Sequence, residues 1–420
     1  MNSPQPASHE RAFAVLRNRD FRLFWGAELV SVLGTQVQRV AIIWQVYDLT
    51  GSAFQLGLLG LFRFLPVLVF GLIGGVIADQ RDRRQTLLVT QVVLLATSAV
   101  LAGFTVAGAI TMPIIYGVTF FSATVSAVAQ PTRQALIPNL VPPASLASAM
   151  TMNILAYQVA AVSGPAVGGL IIARFGVGTA YLFDVVSFVG VIGAVLMVRA
   201  AYGQQPIKIA GLAAAMEGLQ FLRGSPVLLG LMSLDFLATF FGASTVLMPV
   251  FATDILGIGA QGLGILLTAP AAGAVAGSLV MGISRAPGRP GRGVLIAVVI
   301  YGACILGFGL SQSLWTGLLF LAGSGAADAV SMALRHTVRN IVTPDALRGR
   351  IAAAHSTFAM GGPQLGEFEA GLVAALAGAR ASVALGGVAT MIVALLMFRL
   401  VPGLAKTVVM SGSNDRPSSS

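Results

Sequence analysis

The chain has 420 residues, of which 56% are hydrophobic and only 10% charged, and its 25 Lys and Arg against 15 Asp and Glu give a formal charge of +10. Soluble domains carry about 25% charged residues, so this balance excludes a soluble globular protein and implies an all-α integral membrane protein. The positive excess does not point to nucleic acid, because the basic residues alternate from loop to loop, and the single Cys304 rules out an internal disulfide.

In chain order, residues 1–19 are polar with a basic end and show no evident cleavable signal. About twelve apolar spans follow, from 20–48 through 380–401, each near or above the ~20 residues that cross a bilayer. They fall into a six-span half at 20–199, a central loop at 200–225 and a second half at 226–402, with a Ser-rich tail at 403–420. Arg17 and Arg19 precede the first span; Arg81, Arg83 and Arg84 fill the second loop. Arg133 closes the fourth span, Arg285, Arg289 and Arg292 follow the eighth, and Arg335 and Arg339 follow the tenth. Apart from Arg174 and Arg380, the alternate loops hold almost no basic residue, which places both termini in the cytoplasm.

The halves repeat. Gln55-Leu56-Gly57-Leu58 is echoed by Gly262-Leu263-Gly264-Ile265 at a shift of 207, which also sets Glu28 on Asp235. Further along the shift is 201 to 202, and Arg133 falls on Arg335. Two parallel halves with a site at their interface are the plan of a secondary transporter.

The stretch Gly74 to Arg84 joins spans two and three through a turn with three arginines and two aspartates. Asp79, at the membrane edge, can meet the positive N-terminal end of another helix or a nearby arginine. This stretch resembles the corresponding loop of the major facilitator superfamily, Gly-x-Leu-Ala-Asp-Arg-x-Gly-Arg-Arg, at Gly75, Ala78, Asp79, Arg83 and Arg84; Gln80 and Asp82 depart from it. The fifth span carries Gly164-Pro165-Ala166-Val167-Gly168-Gly169, similar to the Gly-x-x-x-Gly-Pro-x-x-Gly-Gly signature of that superfamily's antiporters, with Ala160 in place of the first Gly. The glycines admit a neighbouring helix and Pro165 bends the span, although ordinary small-residue packing would use the same residues.

Ionisable side chains inside a membrane need a partner or a wet cavity. Glu28, Ser31, Thr35 and Arg39 form a polar stripe on span one, with Glu28 and Arg39 ~16 Å apart along the axis. Glu28 either faces a central cavity or is a structural acid paired to another helix. Asp235 is its repeat equivalent, and Arg63 in span two is a candidate counter-ion for Glu28 or a static partner between spans. Asp328 and Arg335 lie two turns apart on span ten, with His336 at its edge. Glu367 and Glu369 project about 200° apart on span eleven, so at most one faces a cavity. Asp184 is a weaker candidate, and Trp25, Trp44, Tyr47 and Tyr181 read as interface anchors or core. Span four (Ile114 to Gln130) lacks the arginine that many proton-coupled relatives place there. The sequence contains no phosphate-binding Gly-x-x-x-x-Gly-Lys-Ser/Thr, no metal-ligand cluster and no sign of a cofactor or of enzymatic chemistry.

Residues 15–402 resemble the drug-exporter branch of the superfamily that includes macrolide and enterobactin exporters, through Phe21-Arg22-Leu23-Phe24-Trp25, Leu49-Thr50-Gly51-Ser52 and Thr343-Pro344-Asp345-Ala346-Leu347-Arg348-Gly349-Arg350-Ile351. The resemblance implies a monomer in the bacterial cytoplasmic membrane that exports an amphipathic small molecule by rocker-switch alternating access, coupled to proton entry. A nutrient importer on the same fold and a non-transporting sensor are the alternatives.

Overall fold

The computed structural model describes residues 13–80, 82–198, 220–222, 224–284, 288–344 and 347–406. The side chains of 71–80, 349–350, 352–354, 356–358, 360 and 405–406 fall outside that description. Lys208, Arg223, Arg285 and Asp345 therefore lie outside the described residues, as do the side chains of Gly75, Asp79 and Arg350 and most of the segments 1–19, 200–225 and 403–420. Among the described residues the fold is helical, without strands.

Six long helices form the first half: α1 Arg19–Thr50, α2 Ala53–Gln80, α3 Arg83–Val106, α4 Met112–Leu140, α5 Leu146–Phe175 and α6 Val177–Met197. The second half comprises α7 Pro226–Phe241, α8 Gly259–Ile283, α9 Pro290–Leu310, α10 Leu314–Val342, α11 Arg348–Ala377 and α12 Ala379–Leu400. α7 is prolonged by a 3-10 turn and a π turn at Phe251–Ile255. Eleven of these spans are long and apolar enough to cross a membrane, and α11, 30 residues long, is the twelfth helix. Twelve crossings put both described ends of the chain at one face, the terminal face.

Local chemistry sets the helix ends. Asn18 accepts from the N–H groups of Asp20 and Phe21 and starts α1, which Gly51 ends at φ +59°, a left-handed position that glycine adopts without a Cβ clash. Asp82 caps α3, accepting from the N–H of Gln85 at 3.0 Å. α4 runs on past Arg133 to Leu140 because Leu136, Ile137 and Leu140 are buried against Phe21, Phe24, Leu87 and Met152. α10 likewise runs past Arg335 to Val342. Both arginines are thus inside helices, two turns short of the helix ends.

The halves meet along two helix pairs, α2 with α11 and α5 with α8. A Cβ built on Gly57 would lie 2.9 Å from the Cα of Gly371, and one built on Gly264 would lie 2.9 Å from the Cα of Gly169. These contacts are the same contact twice, since Gly57 and Gly264 are 207 apart and Gly169 and Gly371 are 202 apart. Tyr47 and Asp254, again 207 apart, meet each other: the Tyr47 hydroxyl donates to Asp254 Oδ2. Residues at equivalent places can touch only at the pseudo-two-fold axis, so this hydrogen bond lies on it.

Packing shows which face is closed. One apolar cluster runs through both halves at the face opposite the termini, joining Val40, Val46 and Leu59 to Leu247, Phe251 and Leu263. Towards the terminal face the core splits. Phe21, Phe24, Leu136 and Met152 belong to the first half alone, while Leu231, Leu234, Leu295 and Leu334 belong to the second. Among the described side chains, the halves thus share an apolar core at the far face and none toward the termini.

Candidate functional site

An acid on the first helix of each half reaches an arginine on the fourth. Glu28 lies about 14 Å along α1 from the terminal face, and Arg133 lies about 11 Å from the same face on the opposite-running α4. Their side chains meet at 2.5 Å, Arg133 Nη1 donating to Glu28 Oε1, with Glu28 only 3% exposed. Asp235 on α7 and Arg335 on α10 stand at matching depths and meet at 2.7 Å. The second half adds to this. Arg335 Nη2 also donates to Asp328 Oδ1 at 3.2 Å, and His355 Nε2 on α11 stands 3.7 Å from Asp235 Oδ2. Beside the first pair, Thr35, Ser98, Ser126, Gln130 and Arg133 line a cavity of about 100 Å³.

Two expectations are corrected here. Arg63 is not the counter-ion of Glu28, because α2 starts from the far face. Arg63 is about 15 Å from that face, whereas Glu28 is about 33 Å from it on α1, too deep for a guanidinium to reach. Arg63 instead crosses to the other half and meets Glu367 of α11 at 3.4 Å. The fourth span does present an arginine to the interior, and it is Arg133. Placing Arg133 at the close of the fourth span hid it as the partner of Glu28; the repeat that set Arg133 on Arg335 and Glu28 on Asp235 was the signal that could have found it.

The other candidates divide plainly. Arg39 is exposed and, among the described residues, reaches Gln36 at 3.5 Å. Glu369 projects away from Glu367 and has no ion pair among the described residues. Asp184 is fully buried, accepting from Ser98 Oγ at 2.7 Å, and Gln38 donates to the same hydroxyl. Tyr181, also fully buried, donates to Gln45, and Trp25 donates to the Met152 carbonyl, so both are core residues. No group that could hold a metal ion is found among the described residues.

The two signature stretches do separate jobs. Arg83 donates to the Ala135 carbonyl near the end of α4 at 3.1 Å, and Arg84 to the Leu196 carbonyl in the last turn of α6 at 2.9 Å. Cations there satisfy carbonyls and complement the negative helix ends. On α5, Gly164 faces Gln36 and Gly168 faces Val37 and Val40 of α1, whereas Gly169, one residue on, faces α8. Pro165 adds its carbonyl to the contact with Gly264. This stretch therefore packs one half internally and also forms one of the two seams between halves.

The chain is 27% identical over 393 residues to the enterobactin exporter EntS of Citrobacter koseri, covering 92% of each chain, and equally identical, with the same coverage, to EntS of Escherichia coli. Its fold matches the structure of a bacterial homologue of the human lysosomal transporter Spinster, in an inward-facing and unoccupied conformation, with TM-score 0.70 and 16% identity over 94% of this chain and 97% of that one. It matches the nucleoside transporter NupG with TM-score 0.71 and 12% identity over 90% and 99%. The profile of the family described as transmembrane secretion effector matches residues 10–417. The chain belongs to the transmembrane secretion effector family and is a multi-pass membrane transporter of the major facilitator superfamily, not an enzyme.

Proposed function

We propose that this transporter exports an amphipathic small molecule from the bacterial cytoplasm in exchange for protons, working as a monomer with both termini cytoplasmic. The observation that carries the reading is the pair of buried acid–arginine contacts, Glu28–Arg133 and Asp235–Arg335, one on each side of a gap closed at one face. Charge buried in a membrane is costly and marks ion or substrate pathways. Export follows when protonation and substrate binding favour opposite states of the carrier. The Tyr47–Asp254 bond and the two glycine seams hold the outer face shut in the state described, and Arg63–Glu367 ties the halves together at the depth where they must part. Asp79, with Arg83 and Arg84, latches the cytoplasmic face in the opposite state. The relatives' name makes enterobactin the first substrate to try.

Two measurements test this. For orientation, Ser284→Cys, at the terminal end of α8, should react with an impermeant thiol reagent only after cells are opened. Thr111→Cys, before α4, should react in intact cells; the reverse pattern overturns the topology. For function, everted vesicles should accumulate enterobactin when an inward-acid pH gradient is imposed. A thermal-shift screen of antibiotics, siderophores and lysolipids supplies another probe if enterobactin does not bind. The double variant Glu28→Gln/Asp235→Asn should bind the probe in detergent yet accumulate no more than empty vesicles. Wild-type accumulation by that variant would make both acids structural, and proton-driven movement in the opposite direction would make the protein an importer.

A further inference from the structure

The two halves are not equal in charge. In the first half one carboxylate, Glu28, faces one guanidinium, Arg133. In the second half two carboxylates, Asp235 at 2.7 Å and Asp328 at 3.2 Å, share the single guanidinium of Arg335. The shift of 202 that maps Arg335 on Arg133 maps Asp328 on Ser126, a neutral hydroxyl lining the cavity next to Arg133. The second carboxylate is thus an addition of the second half alone. With both aspartates ionised and His355 neutral, the cluster carries one uncompensated negative charge, around an Arg335 and an Asp235 whose side chains are each 5% exposed. A buried like-charge pair of carboxylates on one cation is resolved by a proton on one of them.

We propose that the coupling proton of the exporter is held between Asp235 and Asp328, and that the Glu28–Arg133 pair stays ionised and carries none. The inference rests on the proposal of proton-coupled export, but its test does not. Asp235 and Asp328 differ in reach: the Asp328 side chain is 38% exposed, so the proton enters and leaves at Asp328 while Asp235 stays against Arg335. Asp328 stands about 21 Å into α10 from either end, a depth at which an exposed acid faces the gap rather than lipid. The other titratable neighbours do not take the proton's place. His355 Nε2 stands beyond hydrogen-bond distance, 3.7 Å from Asp235 Oδ2, and His336 is held by Arg339 at 2.7 Å. Tyr301, on α9, donates its hydroxyl to the Gly242 carbonyl. When the proton leaves Asp328, the freed carboxylate competes with Asp235 for Arg335. That competition loosens α7 from α10 at the open face and links proton release to movement of the second half.

The test is infrared difference spectroscopy of purified full-length protein, with the proton as the only ligand. Wild-type protein should show a protonated-carboxyl band that bleaches as pH rises. Asp328→Asn and Asp235→Asn should each remove this cluster's share of that band, because either substitution leaves one carboxylate on one guanidinium. Asp328→Ser, which copies the first half, should do the same and guards against an effect peculiar to asparagine. Glu28→Gln and His355→Gln should keep the band. Persistence of the full band in both aspartate variants, or its loss in Glu28→Gln, overturns the inference. Because no transported molecule is needed, failure of enterobactin transport leaves the spectroscopic result intact.

Discussion

Arg133→Met should be among the most destabilising single substitutions in the first half, lowering unfolding stability in detergent by about 3–5 kcal/mol. The substitution removes the cation 2.5 Å from Glu28 and leaves a carboxylate that is 3% exposed with nothing to oppose it. Stranding a buried charge costs far more than the intact pair contributes, because the pair's attraction was largely cancelled by its own desolvation. The same reasoning fixes the second half of the experiment. Glu28→Gln/Arg133→Met removes both charges and should recover most of the loss, with a melting temperature close to wild type. Chemical and thermal unfolding of the three proteins decides it. If the double variant is as unstable as Arg133→Met, the damage comes from lost packing of the arginine stem, and the ion pair is not what holds α1 to α4.

Gly264→Leu should abolish transport while leaving each half folded. A Cβ at this position would lie 2.9 Å from the Gly169 Cα, and the rest of a leucine has no room between α5 and α8. Overpacking of this kind costs about 1–3 kcal/mol. Here the strain falls on a seam that exists only while the outer face is shut, so it is relieved by opening rather than by unfolding. At about 1.4 kcal/mol per tenfold change, the closed state should lose roughly five- to more than a hundredfold in population. Spin labels at Ala109 and Gln261, one in each half near the outer face, should report a longer distance in the variant than in wild type, in a Cys304→Ser background. Gly57→Leu, at the equivalent seam with Gly371, should act in the same direction. An unchanged distance together with normal transport would mean that the seam does not gate the outer face.

The sequence by itself determined the class, the span pattern and the internal repeat. Hydropathy and the placement of arginines are one-dimensional quantities, and a bilayer reads them almost directly. The shift of 207 already placed Glu28 on Asp235 and Gly57 on Gly264, and the shift near 202 placed Arg133 on Arg335. The spacing of Asp328 and Arg335, two turns apart, was enough to bring them onto one helix face, and they do meet at 3.2 Å. What only the tertiary structure decided was partnership. The sequence reading closed the fourth span at Arg133. The helix continues because Leu136, Ile137 and Leu140 find apolar partners from three other helices, and that continuation turns a span-end arginine into an interior one. The choice between Arg63 as counter-ion of Glu28 and as a static partner between spans was open for a related reason: α1 and α2 run in opposite directions, and their charges sit ~18 Å apart in depth. The partner of Arg63, Glu367, is 304 residues away on the other half. The meeting of Tyr47 with Asp254 was equally out of reach, since only the placing of the two halves about a common axis brings repeat-equivalent residues together. Pairing across helices depends on depth, direction and the packing of surfaces far apart in the chain, and none of these is a property of a local stretch.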